Sequence, residues 1–158
     1  MTGELARYFP TDERLTLGSH RFTAEAIVAF ARQFDPQRFH VDPEAAKKSV
    51  FGGLCASGWH TTAVWMKKNL EHRPVEEARW REAGLAAPTF GPSPGFRNLK
   101  WTRPVYAGDD IVFFLTVTGG RALSSRPGWH LLEHVGEAET ADGKPAMRFE
   151  SAVLVQLP

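Results

Sequence analysis

Cysteine is nearly absent from this chain: Cys55 is the only one among 158 residues. A single thiol excludes an intramolecular disulfide and any cysteine-rich zinc site, and it fits a reducing compartment, so the expected location is the cytoplasm. An excess of one charge is missing too, since nineteen Lys plus Arg stand against eighteen Asp plus Glu for a formal +1. That balance argues against a sequence-blind grip on nucleic acid or on an anionic membrane, so any anionic ligand must be met locally. Long hydrophobic runs are lacking as well. None approaches the roughly 18 apolar residues of a membrane span, and the N-terminus, MTGELARYFPTDERL, holds no run of signal-peptide length. Internal repeats, low-complexity tracts and linkers are not found. What remains, 42% hydrophobic and 23% charged residues, describes one soluble globular domain over 1–158 with its core at about 15–156.

The chain changes character near its midpoint. Thr23 stands as an N-cap with Glu25 in the first turn, and Ile27, Phe30, Ala31 and Phe34 recur at i, i+3, i+4 and i+7. Pro36 disfavours a helical backbone at the residue before it, which ends that helix at Asp35. Asp42, Pro43 and Glu44 then open a short second helix as cap, N1 proline and first-turn acid. A glycine-rich approach over 51–56 leads to a longer helix capped by Ser57 and running to about Leu70. Its apolar stripe is Trp59, Ala63, Met66 and Leu70, with Val64 and Trp65 off the stripe, as expected of a central helix wrapped by a sheet. Residues 71–94 read as a long loop with one exposed turn of helix at 76–81. Beyond Gly95 the pattern is β, with strands expected at 96–103, 111–118, 129–138 and 147–156. Turn residues at 108–109, 119–120, 126–128 and 142–143 join them into an antiparallel meander, and a short early strand at 15–22 completes the sheet. Helices segregated before an antiparallel sheet define an α+β domain with the long helix on one sheet face.

The stretch Phe34-Asp35-Pro36-Gln37-Arg38-Phe39-His40 sets a carboxylate and an imidazole five residues apart on a bent backbone. The bend lets both side chains converge on one small site, such as a bound water. A helix C-terminus disfavours a carboxylate and burial adds to the effect, so Asp35 is expected with a raised pKa, suited to an acid. The plainer alternative has Asp35 satisfying a loop amide and His40 filling a polar gap. Downstream, the glycine-rich entry to the long helix offers free N–H groups and a positive dipole end for a developing oxyanion. Gly58 is the best donor, because its N–H lies at the unsatisfied helix end and the missing Cβ admits a ligand carbonyl. Against this, Gly52, Gly53 and Gly58 can simply permit a tight turn and close packing.

Other constellations carry less. Cys55 misses the nucleophile-elbow pattern, since Ser57 stands where glycine is required, and it reads as a packed thiol. His40, Asp42 and His60 lack metal-ligand spacing, so no metal is expected. Trp59, Trp65, Trp101 and Trp129 read as core rather than as a stacking platform. Lys47, Lys48, Arg97 and Arg103 are candidates for phosphate contacts but are mostly ordinary surface charges.

With these residues in place the sequence resembles the MaoC-like dehydratases and (R)-specific enoyl-CoA hydratases. The family pattern D-x-N-P-x-H appears as Asp35-Pro36-Gln37-Arg38-Phe39-His40, followed by the glycine-containing helix start at Ser57-Gly58. Pro104-Val105-Tyr106-Ala107-Gly108-Asp109 matches the family's Pro-Val-x-x-Gly-Asp corner. The departures are Gln37 and Arg38, which replace the family's Asn and Pro and set a cation beside the site.

The resemblance implies a hot-dog fold, with an antiparallel sheet wrapped around a long central helix. It also implies reversible hydration of a trans-2-enoyl thioester to a 3-hydroxyacyl thioester, of (R) configuration. His40 would deprotonate water, Asp35 would orient that water and handle the α-carbon proton, and Gly58 N–H would hold the enolate oxygen. Gln37, Arg38 and Ser57 are substrate-binding candidates. No cofactor is expected beyond coenzyme A as part of the substrate, an acyl-carrier thioester being the other possible form. The expected assembly is a homodimer or higher homo-oligomer, without nucleic acid or membrane partners. Two other readings stay open: a hot-dog acyl-CoA thioesterase, and a non-catalytic acyl-CoA-binding protein.

Overall fold

The computed structural model of the chain describes residues 3–158. It begins with a helix that the sequence did not announce, α1 (Gly3–Tyr8), held because Leu5, Tyr8 and the following Phe9 are all buried. The early strand appears as β1 (Arg14–Arg21), and α2 (Ala24–Phe34) follows. Thr23 caps α2 as expected, its hydroxyl accepting from Ala26 N–H at 3.2 Å, while Ile27 and Ala31 are buried. Ahead of Pro36, Asp35 leaves helical geometry at φ −154° and ψ 70°. The bend then tightens into one helical turn, α3 (Arg38–Val41), and Asp42 caps α4 (Pro43–Lys47) by accepting from Glu44 and Ala45 N–H.

The central helix is longer than its sequence pattern indicates. α5 (Gly58–Glu82) runs through Pro74 and absorbs half of the loop expected over 71–94. Proline removes the N–H that would bond the Leu70 carbonyl, which normally stops a helix. Here tertiary contacts override it: Glu76 and Trp80 are buried, and Arg79 Nη2 and Trp80 Nε1 both donate to the Tyr8 carbonyl, at 2.8 and 2.9 Å. No helix among the described residues is long and apolar enough to cross a membrane.

After the remaining loop come β2 (Thr89–Phe90), β3 (Gly95–Trp101), β4 (Asp110–Ala122), β5 (Trp129–Thr140) and β6 (Pro145–Gln156). All pairings are antiparallel, in the order β1-β4-β5-β6-β2, with β3 also on β6. β4, β5 and β6 form the expected meander. The first of the four predicted strands does not join it: β3 pairs with β6 rather than β4. The reason is the link after it. Pro104 cannot donate to a ladder, and residues 102–109 instead cross the entry to α5. There Ala56 N–H donates to the Val105 carbonyl at 2.7 Å, and Ala107 N–H to the Leu54 carbonyl at 3.0 Å. The result is the hot-dog arrangement, a curled antiparallel sheet around a long helix.

The face of α5 that meets the sheet also differs from expectation. Val64 and Trp65 are buried, whereas Trp59, Met66 and Leu70 of the predicted stripe are exposed by 48, 49 and 60%. Two apolar faces compete on this helix, and the sheet selects the one bearing Trp65. Its indole N–H donates to the Phe114 carbonyl at 2.8 Å, and its ring meets Phe149 edge-on at 4.7 Å. Gly136 makes room, since a Cβ there would lie 2.3 Å from Phe149 and 2.8 Å from Trp65. The rejected stripe lines a cavity of about 600 Å³ between α5 and the sheet, with Trp59, Thr62, Met66 and Leu70 on one side and Leu115 and Phe149 on the other.

Candidate active site

The bend after α2 and the N-terminus of α5 bring four polar groups together. His40, in α3, is 6% exposed, and its Nδ1 lies 2.6 Å from the Cys55 carbonyl. A carbonyl only accepts, so Nδ1 carries a proton and Nε2 is the ring nitrogen turned toward the rest of the site. Asp35 Oδ2 stands 3.5 Å from Nε2. Ser57 Oγ donates to that same oxygen at 2.6 Å, and Gln37 Nε2 donates to Asp35 Oδ1 at 2.9 Å.

The separation between Nε2 and Oδ2 exceeds a normal hydrogen bond. Both atoms are acceptors when Nε2 bears no proton, so together they call for a shared donor seated to one side of the pair. A water molecule meets that demand by giving one hydrogen to each, which leaves its own lone pairs facing outward. The electrostatics of Asp35 correct the expectation of a raised pKa. Burial does push its carboxyl upward, but the Ser57 and Gln37 hydrogen bonds and the neighbouring His40 outweigh burial and hold it below the ordinary value. At neutral pH Asp35 is a carboxylate.

The first turn of α5 supplies the remaining element. Ser57 Oγ accepts from Trp59 N–H at 3.3 Å, and His60 and Thr61 N–H reach the Ser57 carbonyl at 2.9 and 3.3 Å. Among the described residues this leaves Gly58 N–H as the donor without an acceptor, at the positive end of a 25-residue helix.

The family described as MaoC like domain matches over residues 9–128, more than half of the chain. The chain belongs to this family. It is 31% identical to the MaoC-like dehydratase from Rhodospirillum rubrum, superposing with a TM-score of 0.74 over 95% of this chain and 94% of that one. An (R)-hydratase from A. caviae, 20% identical with a TM-score of 0.63 over 95% and 98% of the two chains, shares the fold. A curated relative, the uncharacterized protein YdeM of Bacillus subtilis (strain 168), is 30% identical over 99 residues, 63% of this chain. The match spans 62% of that relative's length. Dehydratase or hydratase chemistry is the activity class this membership supports.

Within this MaoC-like chain the expected residues are distributed unevenly. Asp35, Gln37, His40 and Ser57 meet, whereas Arg38 is exposed and makes no hydrogen bond or ion pair with Asp35 or His40 among the described residues. Gly58 is required for a different reason than a ligand's approach. The space its Cβ would fill holds the indole of Trp101, at 2.3 Å from Cδ2 and 2.4 Å from Cε2. Trp59 and Trp101, expected in the core, are instead 48 and 43% exposed beside this site, with ring centroids 5.1 Å apart. Sequence reasoning missed that pairing because it joins the end of an edge strand to the start of a helix. Cys55 is buried, with its thiol pushed up to about 11, so it is inert. His60 stacks on Phe30 at 4.5 Å rather than joining His40, and no cluster of metal-ligating side chains occurs among the described residues. Lys47 and Arg97 are paired with Glu44 and Glu150, and Lys48 and Arg103 are exposed.

Proposed function

We propose that the chain catalyses reversible hydration of a trans-2-enoyl-CoA to the (R)-3-hydroxyacyl-CoA. The observation that carries this reading is the 3.5 Å gap between Asp35 Oδ2 and His40 Nε2, beside the free Gly58 N–H. Water seated beside the two atoms donates to both acceptors. As its oxygen bonds to the β-carbon, Nε2 takes its proton and the thioester oxygen gains enolate charge, which Gly58 N–H stabilises. The imidazolium then returns the proton to the α-carbon, so one water is added and nothing is oxidised or reduced. Because its carboxyl is held low, Asp35 stays ionised through the cycle; it orients the water and favours the imidazolium instead of carrying the proton itself. Positioned acid–base groups contribute about 10² to 10⁴ in rate, and an oxyanion donor about 10² to 10³.

The apolar cavity starting at Trp59 and Thr62 is well placed to take the acyl chain. The edge of β3 and the exposed Trp59, Met66, Leu70 and Phe96 support a second copy as the partner of that face, giving a homodimer in the cytoplasm. The test is the loss of enoyl-thioester absorbance with trans-2-butenoyl-CoA while a thiol reagent reports hydrolysis. Alkene loss without thiol is expected, and thiol release would point to a thioesterase instead. Asp35→Asn and His40→Ala should each lower kcat/KM by about 100-fold or more in protein that still folds to the wild-type circular dichroism spectrum, at a lower melting temperature because each change removes a hydrogen bond of the site. Near-normal rates in either variant would refute the assigned roles.

A further inference from the structure

We propose that Trp101 sets acyl-chain-length specificity by gating passage from the Gly58 N–H to the apolar cavity; this rests on the thioester reading above. Three observations converge on its indole. It lies against the Cα of Gly58, filling the space of the absent Cβ. Its Nε1 donates to Thr62 Oγ1 at 3.2 Å, and Thr62 lines the cavity one helical turn from Gly58. Its ring also abuts Trp59, another cavity-lining side chain, at 5.1 Å and 76°. Trp101 therefore touches both the oxyanion donor and the mouth of the cavity, while Asp35, His40, Ser57 and Gly58 are not part of the cavity wall.

A thioester whose carbonyl bonds Gly58 N–H must pass this ring to place a long chain along Met66 and Leu70. A short chain ends before the cavity and leaves the ring in place. The latch is modest: one neutral hydrogen bond and an edge contact, on a side chain 43% exposed. Displacement is thus a tax on long chains, lowering their apparent affinity by the fraction of molecules with the ring open.

The experiment compares dissociation constants of dodecanoyl-CoA and butanoyl-CoA, both unreactive to hydration, by calorimetry on the wild type, Trp101→Ala and Thr62→Val. Removing the indole should raise the preference for dodecanoyl over butanoyl by about tenfold, the combined worth of the hydrogen bond and the ring contact. Thr62→Val keeps the shape and removes the latch acceptor, together with the bonds that Thr62 Oγ1 donates to the Gly58 carbonyl at 3.0 Å and to Met147 Sδ at 3.3 Å, neither of which holds the ring, and it should raise the preference by about threefold. An unchanged preference in both variants overturns the gate. So does the absence of any preference in all three proteins, which is the outcome if a second copy's side chains fill the cavity. Hydration of trans-2-butenoyl-CoA by the wild type is measured alongside. A flat preference with active enzyme removes the gate alone, and an altered preference with inactive enzyme removes the hydratase reading alone.

Discussion

Ser57→Ala tests the electrostatic core of the site without touching a proton-transfer group. The hydroxyl makes two bonds: it accepts Trp59 N–H at 3.3 Å as a helix cap and donates to Asp35 at 2.6 Å. The cap bond is long and belongs near the lower end of the 0.5–2 kcal/mol measured for such caps, about 0.5–1 kcal/mol. A bond to a charged acceptor adds about 1.5–3 kcal/mol. Ser57 is 1% exposed, so water cannot simply replace it. The variant should lose about 2–4 kcal/mol, which for a chain of this size lowers the melting temperature by roughly 5–12 °C. Part of that loss depends on pH. Asp35 titrates lower in the folded chain than its ordinary 3.8, so its stabilisation is full above 3.8 and is lost as pH falls through the folded value. Without Ser57 the folded value moves up, and the deficit should be largest at neutral pH and shrink in acid toward the cap contribution. Urea titrations of both proteins across that range measure this. A deficit under about 0.5 kcal/mol, or one that does not narrow in acid, would refute the reasoning.

Pro74→Ala restores a donor to the Leu70 carbonyl at an exposed position within a continuous helix. It should stabilise by about 1–3 kcal/mol, read as a higher urea midpoint; a fall would mean that the helix needs its proline. Burial pushes His60 and His134 down to about 4, with the charge of His20 adding to the effect on His60. Both fold as neutral rings, so the unfolded chain binds more protons below 6.5, and stability should decline from there to about 4 by roughly 3 kcal/mol for each. His60→Leu should flatten part of that decline, and urea midpoints that are level across the window in the wild type would contradict it.

The parts of the site legible in the sequence are those governed by neighbours in the chain. Pro36 ends α2 at Asp35, and Asp42 and Ser57 cap the helices after them, each through contacts within a few residues. The turns at 126–128 and 142–143 likewise joined β4, β5 and β6, whereas Gly119-Gly120, expected as a turn, lie inside β4, where the ladder shifts register instead of ending. What escaped notice was decided at long range. The persistence of α5 past Pro74 depends on Trp80 and Arg79 reaching Tyr8, more than seventy residues away. The neighbour chosen by β3 depends on where residues 102–109 cross, which no local propensity encodes. The stripe of Trp59, Met66 and Leu70 was recognised as apolar, but periodicity alone does not say which of two apolar faces a sheet will cover. The charge state of Asp35 is likewise set beyond its neighbours, since the hydroxyl of Ser57, twenty-two residues on, helps reverse the effect of burial only after the chain has folded back.

The proton on His40 is placed by the main-chain oxygen of residue 55, not by the thiol, whose sulfur lies 3.7 Å from Nδ1. The imidazole's orientation is therefore indifferent to the identity of that side chain, provided a small one keeps the backbone where it is. Cys55 is the sole cysteine, so exchanging it for alanine yields a thiol-free background in which a new cysteine at exposed Arg103, two residues beyond Trp101, would carry a fluorophore or spin label. The chain thus comes prepared for watching the cavity mouth open in solution, one reporter at a time.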